Sequence, residues 1–359
     1  MVTVFMSKLR IFGRSAILLL SILCMMYSGG LAKLSILSDS GISYIDPTGK
    51  VIINLKGYSD ATSFSEGLAG IRTKNGKYGF IDKGGNIVIK PEFFQARSFS
   101  DGLAAVKLHE KLYSIPNDHD VWGYVDASGG VIFQGAYDAI YNFSEGIAIA
   151  RKLGELFFIN KSGKILASFD TKDIRLEYAG NQKFSDGLIV ACRVGLEKCG
   201  FLDKTGKFVI APKFSNAANF SEGLARVSVV RDDREFVGFI NKKGDFVIPP
   251  KFDVDFDFSR RSADFSEGLA NMIEIPSPMD KDLSTIYLNK SGEIVLRTIN
   301  LRSEPFHDGL AVVYDSESRK YGYVNKEGDA VIPVKYTSAA NFSEGVAVVR
   351  ASDTGLFSP

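Results

Sequence analysis

The chain has 359 residues, 43 Lys and Arg against 42 Asp and Glu, 45% hydrophobic residues, 35 Gly, 27 Phe and only 3 His. This near-neutral, apolar-rich balance excludes a disordered chain and gives no electrostatic reason to expect a nucleic-acid partner. Abundant Gly and Phe point to a turn-rich β protein, because Gly is costly inside helices and aromatic side chains suit pleated surfaces.

The first 32 residues read as a signal peptide. Lys8, Arg10 and Arg14 form a basic start, residues 16–27 an apolar run, and Gly30-Leu31-Ala32 a small-residue cleavage site. Cleavage after Ala32 is expected to leave an exported protein, periplasmic or extracellular, without a membrane span. An uncleaved N-terminal anchor is the alternative, since 14–33 has just the length to span. Removing 1–32 takes away three basic and no acidic residues, so the formal net charge falls from +1 to −2.

The remainder, 33–359, is a repeat array of eight units. Phe-Ser-Glu/Asp-Gly or a close variant recurs with its Phe at 64, 99, 143, 184, 220, 265, 306 and 342, at intervals of 35, 44, 41, 36, 45, 41 and 36. Between these turns lies Gly-aromatic-Ile-Asp/Asn-Lys-x-Gly, best preserved at 79–85 and weaker where Ser43, Phe157 and Ile286 replace the leading Gly. Copies three apart match best: Pro91, Pro212 and Pro333 fall in one class. Three units per superhelical turn is the expectation from that regularity. Each unit of about 40 residues reads as three short strands: the aromatic strand, a hairpin return, and a Leu-Ala-x-Val strand that pairs with the next unit's first strand. The fold class is therefore all-β, expected as an open solenoid, with a closed propeller-like ring as the alternative.

Taken together, the two elements resemble the WG-repeat, or KWG-type, family of bacterial β-repeat proteins over roughly 41–350, although Trp-Gly itself occurs once, at Trp122-Gly123. The resemblance implies tandem β repeats, often on exported proteins, and no assured activity or ligand.

Internal copies separate structural from functional residues. The fourth position of the aromatic strand is Asp46, Asp82, Asp126, Asn160, Asp203, Asn241, Asn289 or Asn325. Free exchange of Asp and Asn indicates an Asx-type turn rather than a charge requirement. The turn acid is Glu66, Asp101, Glu145, Asp186, Glu222, Glu267, Asp308 or Glu344. A carboxylate holding backbone N–H groups of the Ser-x-Gly turn is the expected role, and calcium binding by stacked carboxylates the alternative. Neither zinc spacing, phosphate loop nor nucleophile elbow appears, and the alternating Asp253, Asp255 and Asp257 read as a solvated strand face, so no catalytic residue, cofactor or metal site is expected.

Function is expected in inserted loops on a rigid frame: 108–121 with His109, Tyr113 and His119 beside Trp122, 253–264 with Phe256, Phe258, Arg260 and Arg261, and 275–284. The expected role is a non-enzymatic scaffold binding a protein or the cell envelope. Envelope polysaccharide is a second possible ligand, and hydrolysis a third, weaker reading. Cys192 and Cys199 sit where two strands meet across a short turn, so an oxidising compartment favours a disulfide between them.

Overall fold

The structure is a computed structural model, and it describes residues 41–111, 120–176, 183–253, 264–274, 284–299 and 301–351. Residues 39–359 form one compact unit. The fold is eight four-stranded antiparallel sheets. Blade 1 is representative, with strands Tyr58–Ala61, Leu68–Thr73, Tyr78–Asp82 and Ile87–Phe93 in that spatial order. Blades 2 to 7 follow over 95–136, 139–170, 174–214, 216–253, 265–298 and 301–336.

Blade 8 is composite. Ser338–Ala339 and Ala347–Arg350 come from the C-terminal end of the array, Ile42–Ile45 and Val51–Asn54 from its beginning. Ile42 stands opposite Arg350 and Ile45 opposite Ala347, so the two ends pair and the repeats close into an eight-bladed β-propeller. The open solenoid, with three units per turn, is thereby overturned in favour of the ring. The array starts on one blade's third strand and stops on a second strand, so each end offers the bare edge that the other lacks, and pairing them removes both. Each unit also has a fourth strand. In seven blades a piece of two to four residues, such as Gln95–Ala96, precedes the Phe-Ser-Glu-Gly turn in what the sequence reads as loop, and in blade 6 it is Phe265–Ser266 at the head of that element.

Repeated residues weld the blades. The third-strand aromatic of each blade packs on the turn Phe of the next, in the pairs Tyr44–Phe64, Phe80–Phe99, Tyr124–Phe143, Phe158–Phe184, Phe201–Phe220, Phe239–Phe265, Tyr287–Phe306 and Tyr323–Phe342. Ring centroids are 4.6–5.0 Å apart in all eight, and no turn Phe is more than 2% exposed. A unit alone has nowhere to bury its turn Phe; the next blade's packs where a neighbour's strand meets it.

The Gly before the aromatic has a steric cause. A Cβ at Gly79, Gly200, Gly238 or Gly322 would lie 2.3–2.6 Å from the carbonyl oxygen of Ile89, Ile210, Ile248 or Ile332. In these blades the fourth strand carries an additional register shift opposite the Gly, and Pro91, Pro212, Pro250 and Pro333 fall in that bulge, where their missing N–H breaks no ladder bond. Blades with Ser43, Phe157 or Ile286 in place of the Gly lack this second shift. Blade 2 keeps Gly123 without the second shift, whereas blade 5, three copies on, has it, so the threefold grouping separates bulged from straight blades in two of its three classes.

Candidate binding surface

Each blade is a meander, so its connections alternate between two ends. One end, the turn face, holds the turn between first and second strands and the Asx turn between third and fourth. The other, the loop face, holds the hairpins between second and third strands and the links from each fourth strand to the next blade.

On the turn face the repeated acids and Asx residues have structural work in all eight copies. All eight turn acids adopt φ of 52–56°, each followed by a Gly at 79–86°. This is a two-residue primed turn, in which a non-Gly residue at positive φ carries a conformational cost. The cost is offset between blades. Each carboxylate accepts a hydrogen bond from the Gly N–H of the next blade's turn at 2.6–3.2 Å, from Glu66 to Gly102 round to Glu344 to Gly67. The sequence expectation placed this bond within the acid's own turn. Alternation of φ and close blade approach, invisible in one unit, move it to the neighbour.

The Lys of the Asp/Asn-Lys element adds a second clasp. Lys83, Lys204, Lys290 and Lys326 meet Glu344, Glu145, Glu222 and Glu267 of the preceding blade at 3.0–3.1 Å. Burial alone would raise the carboxyls of Glu267 and Glu344, but the Lys and Gly donors outweigh it and hold both below the usual Glu range. Ala127 and Pro47 stand where this Lys would meet Glu66 and Asp308. The Ser hydroxyls of five turns donate to the next turn's Phe carbonyl, for example Ser65 to Phe99 at 2.7 Å and Ser343 to Phe64 at 2.7 Å. His307 takes the Ser place in blade 7; burial lowers its pKa, against Glu267 and Asp308, which raise it.

The Asx turns hold in all eight copies. Oδ1 accepts from the N–H groups two and four residues on, at 2.7–3.2 Å, for Asp and Asn alike. Among the described residues no group of three or more His, Cys, Asp or Glu is placed to hold a metal ion.

The loop face carries the variation. Segments 112–119, 254–263 and 275–283 all join strand ends there, and Tyr113, His119, Phe256, Phe258, Arg260 and Arg261 lie outside the described residues. His109 ends the second strand of blade 2, opposite Val121. Beside it, Lys107 pairs with Asp120 at 3.1 Å, and Asp120 also accepts from the Lys111 N–H at 2.9 Å. Trp122 departs from its expected place in a binding loop: it lies on the third strand of blade 2, 4% exposed, packed with Leu103, Tyr124 and Phe143. It fills the core site taken by Leu156 and Val237 elsewhere, and so faces no partner. Cys192 and Cys199 stand in register across blade 4's hairpin, with their sulfurs bonded. The described residues contain no helix long and apolar enough to cross a membrane.

A family model described as WG containing repeat matches residues 42–78, 78–111, 122–155, 200–229, 238–271 and 321–353. The chain belongs to the WG-repeat family. The unmatched stretches hold the copies at Phe157 and Ile286, two of the three that lack the leading Gly. No curated protein matches the chain. Among solved structures, the WG-repeat ring is similar to a eukaryotic initiation factor (TM-score 0.52, 10% identity, covering 86% of this chain and 97% of that one). It is also similar to BamB from Moraxella catarrhalis (0.49, 11%, 81% and 96%) and to the C-terminal WD40 domain of Sif2 (0.47, 10%, 84% and 97%). Identity this low speaks to the fold alone.

Proposed function

We propose that this WG-repeat propeller is an exported, non-enzymatic scaffold that binds a protein of the cell envelope through its loop face. The observation that carries the reading is the sorting of residues between faces. The turn acids and Asx residues of the turn face are consumed in blade-to-blade contacts and in their own turns, whereas three long insertions containing Tyr, Phe, Arg and His join strand ends at the opposite face. A rigid frame with variable loops on one side favours recognition over catalysis.

Export rests on the basic, apolar and Gly-Leu-Ala pattern of 1–32, and mature protein is expected to begin at Lys33. N-terminal sequencing of exported material tests that step. For binding, alanine blocks across 108–121 and 253–264 are expected to abolish retention of the protein on envelope proteins immobilised free of lipid. Unchanged retention by both block variants would count against the loop face as the binding surface.

A further inference from the structure

Apart from the inserted segments, the loop face exposes large aliphatic side chains at its described tips. Leu153 is 85% exposed, Ile299 70%, Leu196 63%, Val230 53% and Val194 40%. They stand on the second-to-third-strand hairpins of three successive blades, 3, 4 and 5, and on the link from blade 6 to blade 7. The Leu153 N–H donates to Asp138 at 2.9 Å, but its side chain is exposed and its φ of 51° is a conformation that Asn, Asp or Gly would accept at lower cost. The blade 4 tip is braced rather than loose, with the Cys192–Cys199 bond below it and Glu197 paired to Arg175 at 3.3 Å. Single exposed aliphatic side chains are ordinary on a protein surface; what sets these apart is that hairpins of three successive blades carry them at one face.

We infer that these tips form a lipid-contacting surface, on which the propeller rests its loop face against a bilayer with Leu153, Leu196 and Ile299 inserted at the level of the head groups. Three features favour lipid over a protein pocket. The apolar groups are separate protruding tips, and Leu and Val are poor anchors of protein interfaces, where Trp, Tyr and Arg dominate. Each hairpin sets basic groups beside its apolar tip, Arg151 and Lys152 in blade 3, Arg193 and Lys198 in blade 4, Arg231 and Arg234 in blade 5; their long stems can lie along the interface while the charges stay hydrated. Six basic and five acidic side chains in 151–155, 193–198 and 230–235 nearly cancel, so attachment depends on apolar insertion and not on anionic head groups.

The chain's connections agree. Gly41 and Ala351 meet at this same face, the Ala351 N–H donating to the Gly41 carbonyl at 3.1 Å. Both ends of the described ring therefore lie on the face that carries the tips. The inference rests on the export reading but not on the identity of a protein partner.

Flotation of residues 33–359, which keep every described contact of the ring, tests it with vesicles of phosphatidylcholine alone and with added phosphatidylglycerol, at low and high salt. The protein is expected to float with both kinds of vesicle at both salt concentrations. Leu153→Asp and Leu196→Asp are each expected to reduce partitioning about tenfold, as loss of one buried aliphatic side chain implies. Val209→Asp, also exposed but at a blade edge beside the turn face, should change nothing. Circular dichroism and urea midpoints matching the parent show that the variants are folded. Protein left at the bottom of the gradient with both vesicles overturns the inference, as do equal loss on Val209→Asp and binding confined to anionic vesicles at low salt. None of these outcomes alters the envelope-retention assay, which reads the inserted loops separately.

Discussion

The two faces of the propeller are built from the same eight repeats under opposite rules. On the turn face each turn Phe packs on a neighbour's third-strand aromatic and each turn acid holds a neighbour's turn Gly, so a change in one copy is felt by two blades. On the loop face, connections run from a single residue between blades 1 and 2 to the eleven of 254–264, and the closed ring absorbs this without distortion. Repetition therefore marks closure, and departure from repetition marks the surface free to acquire a ligand. Tolerance of loop length is cheap, because the closure entropy of a loop grows only slowly with its length.

The largest expected break in this contrast is on the turn face. Phe143→Ala removes a fully buried ring from between blades 2 and 3 and should cost about 3–5 kcal/mol. Urea denaturation should show one cooperative transition at a lower midpoint. A midpoint equal to the parent's would refute the claim that the turn Phe welds the blades. Next in size is the loop face's own crosslink. The Cys192→Ser and Cys199→Ser pair of changes should destabilise by about 2–3 kcal/mol in the chain-entropy view of so short a loop. Native secreted protein should show no reactive thiol, and two titratable thiols would dismiss the crosslink.

Much of this was legible before any coordinates. Eight copies of Asp or Asn at one position named the Asx turn because Oδ1 accepts both turn bonds and both residues have it; the second atom varies, with Nδ2 of Asn241, Asn289 and Asn325 donating to the acid four residues on and Asp82 Oδ2 accepting from the Asn86 amide. Closure was not legible, since a bare first strand at Tyr44 and a bare last strand at Val349 suit capped ends as well as paired ones. Which is realised depends on blade twist, to which no single residue testifies. The inter-blade target of the turn acids was hidden for a related reason: the partner Gly lies 36–46 residues on and is itself a repeated residue, so its own turn looked like a sufficient destination. Trp122 misled because its Trp-Gly context drew attention to an aromatic beside an insertion, while its alternation with buried Gly123 and Tyr124 on one strand already argued for core.

A sharper probe of the turn face separates charge from hydrogen bond. Glu344→Ala leaves the Gly67 N–H without its acceptor and should cost about 1–3 kcal/mol. Glu344→Gln keeps an acceptor and loses only the part-exposed pair with Lys83, worth at most about 1 kcal/mol. Acid titration reads the same groups. Glu267 and Glu344 bind protons less readily in the folded ring than in the unfolded chain, where a Glu titrates at about pH 4.3. Their contribution is therefore complete above that pH and is lost as pH falls through the lower folded value. The Glu267→Gln, Glu344→Gln double variant should lose less stability than the parent on acidification from pH 5 to pH 3, and parallel curves would remove the two pairs as a cause.

The smallest effect tests the rule that repetition marks structure and not charge. Asn160 Oδ1 accepts from the Ser162 and Lys164 N–H groups at 3.1 and 2.9 Å, the bonds that Asp203 makes to Thr205 and Lys207. Asn160→Asp preserves the acceptor next to Lys164, so the urea midpoint should stay within error of the parent's, whereas Asn160→Ala leaves two turn donors to water and should cost about 1 kcal/mol. A marked loss on Asn160→Asp would mean that copies carrying Asn exclude a negative charge. The division of labour between faces would then need a functional residue on the side assigned wholly to closure.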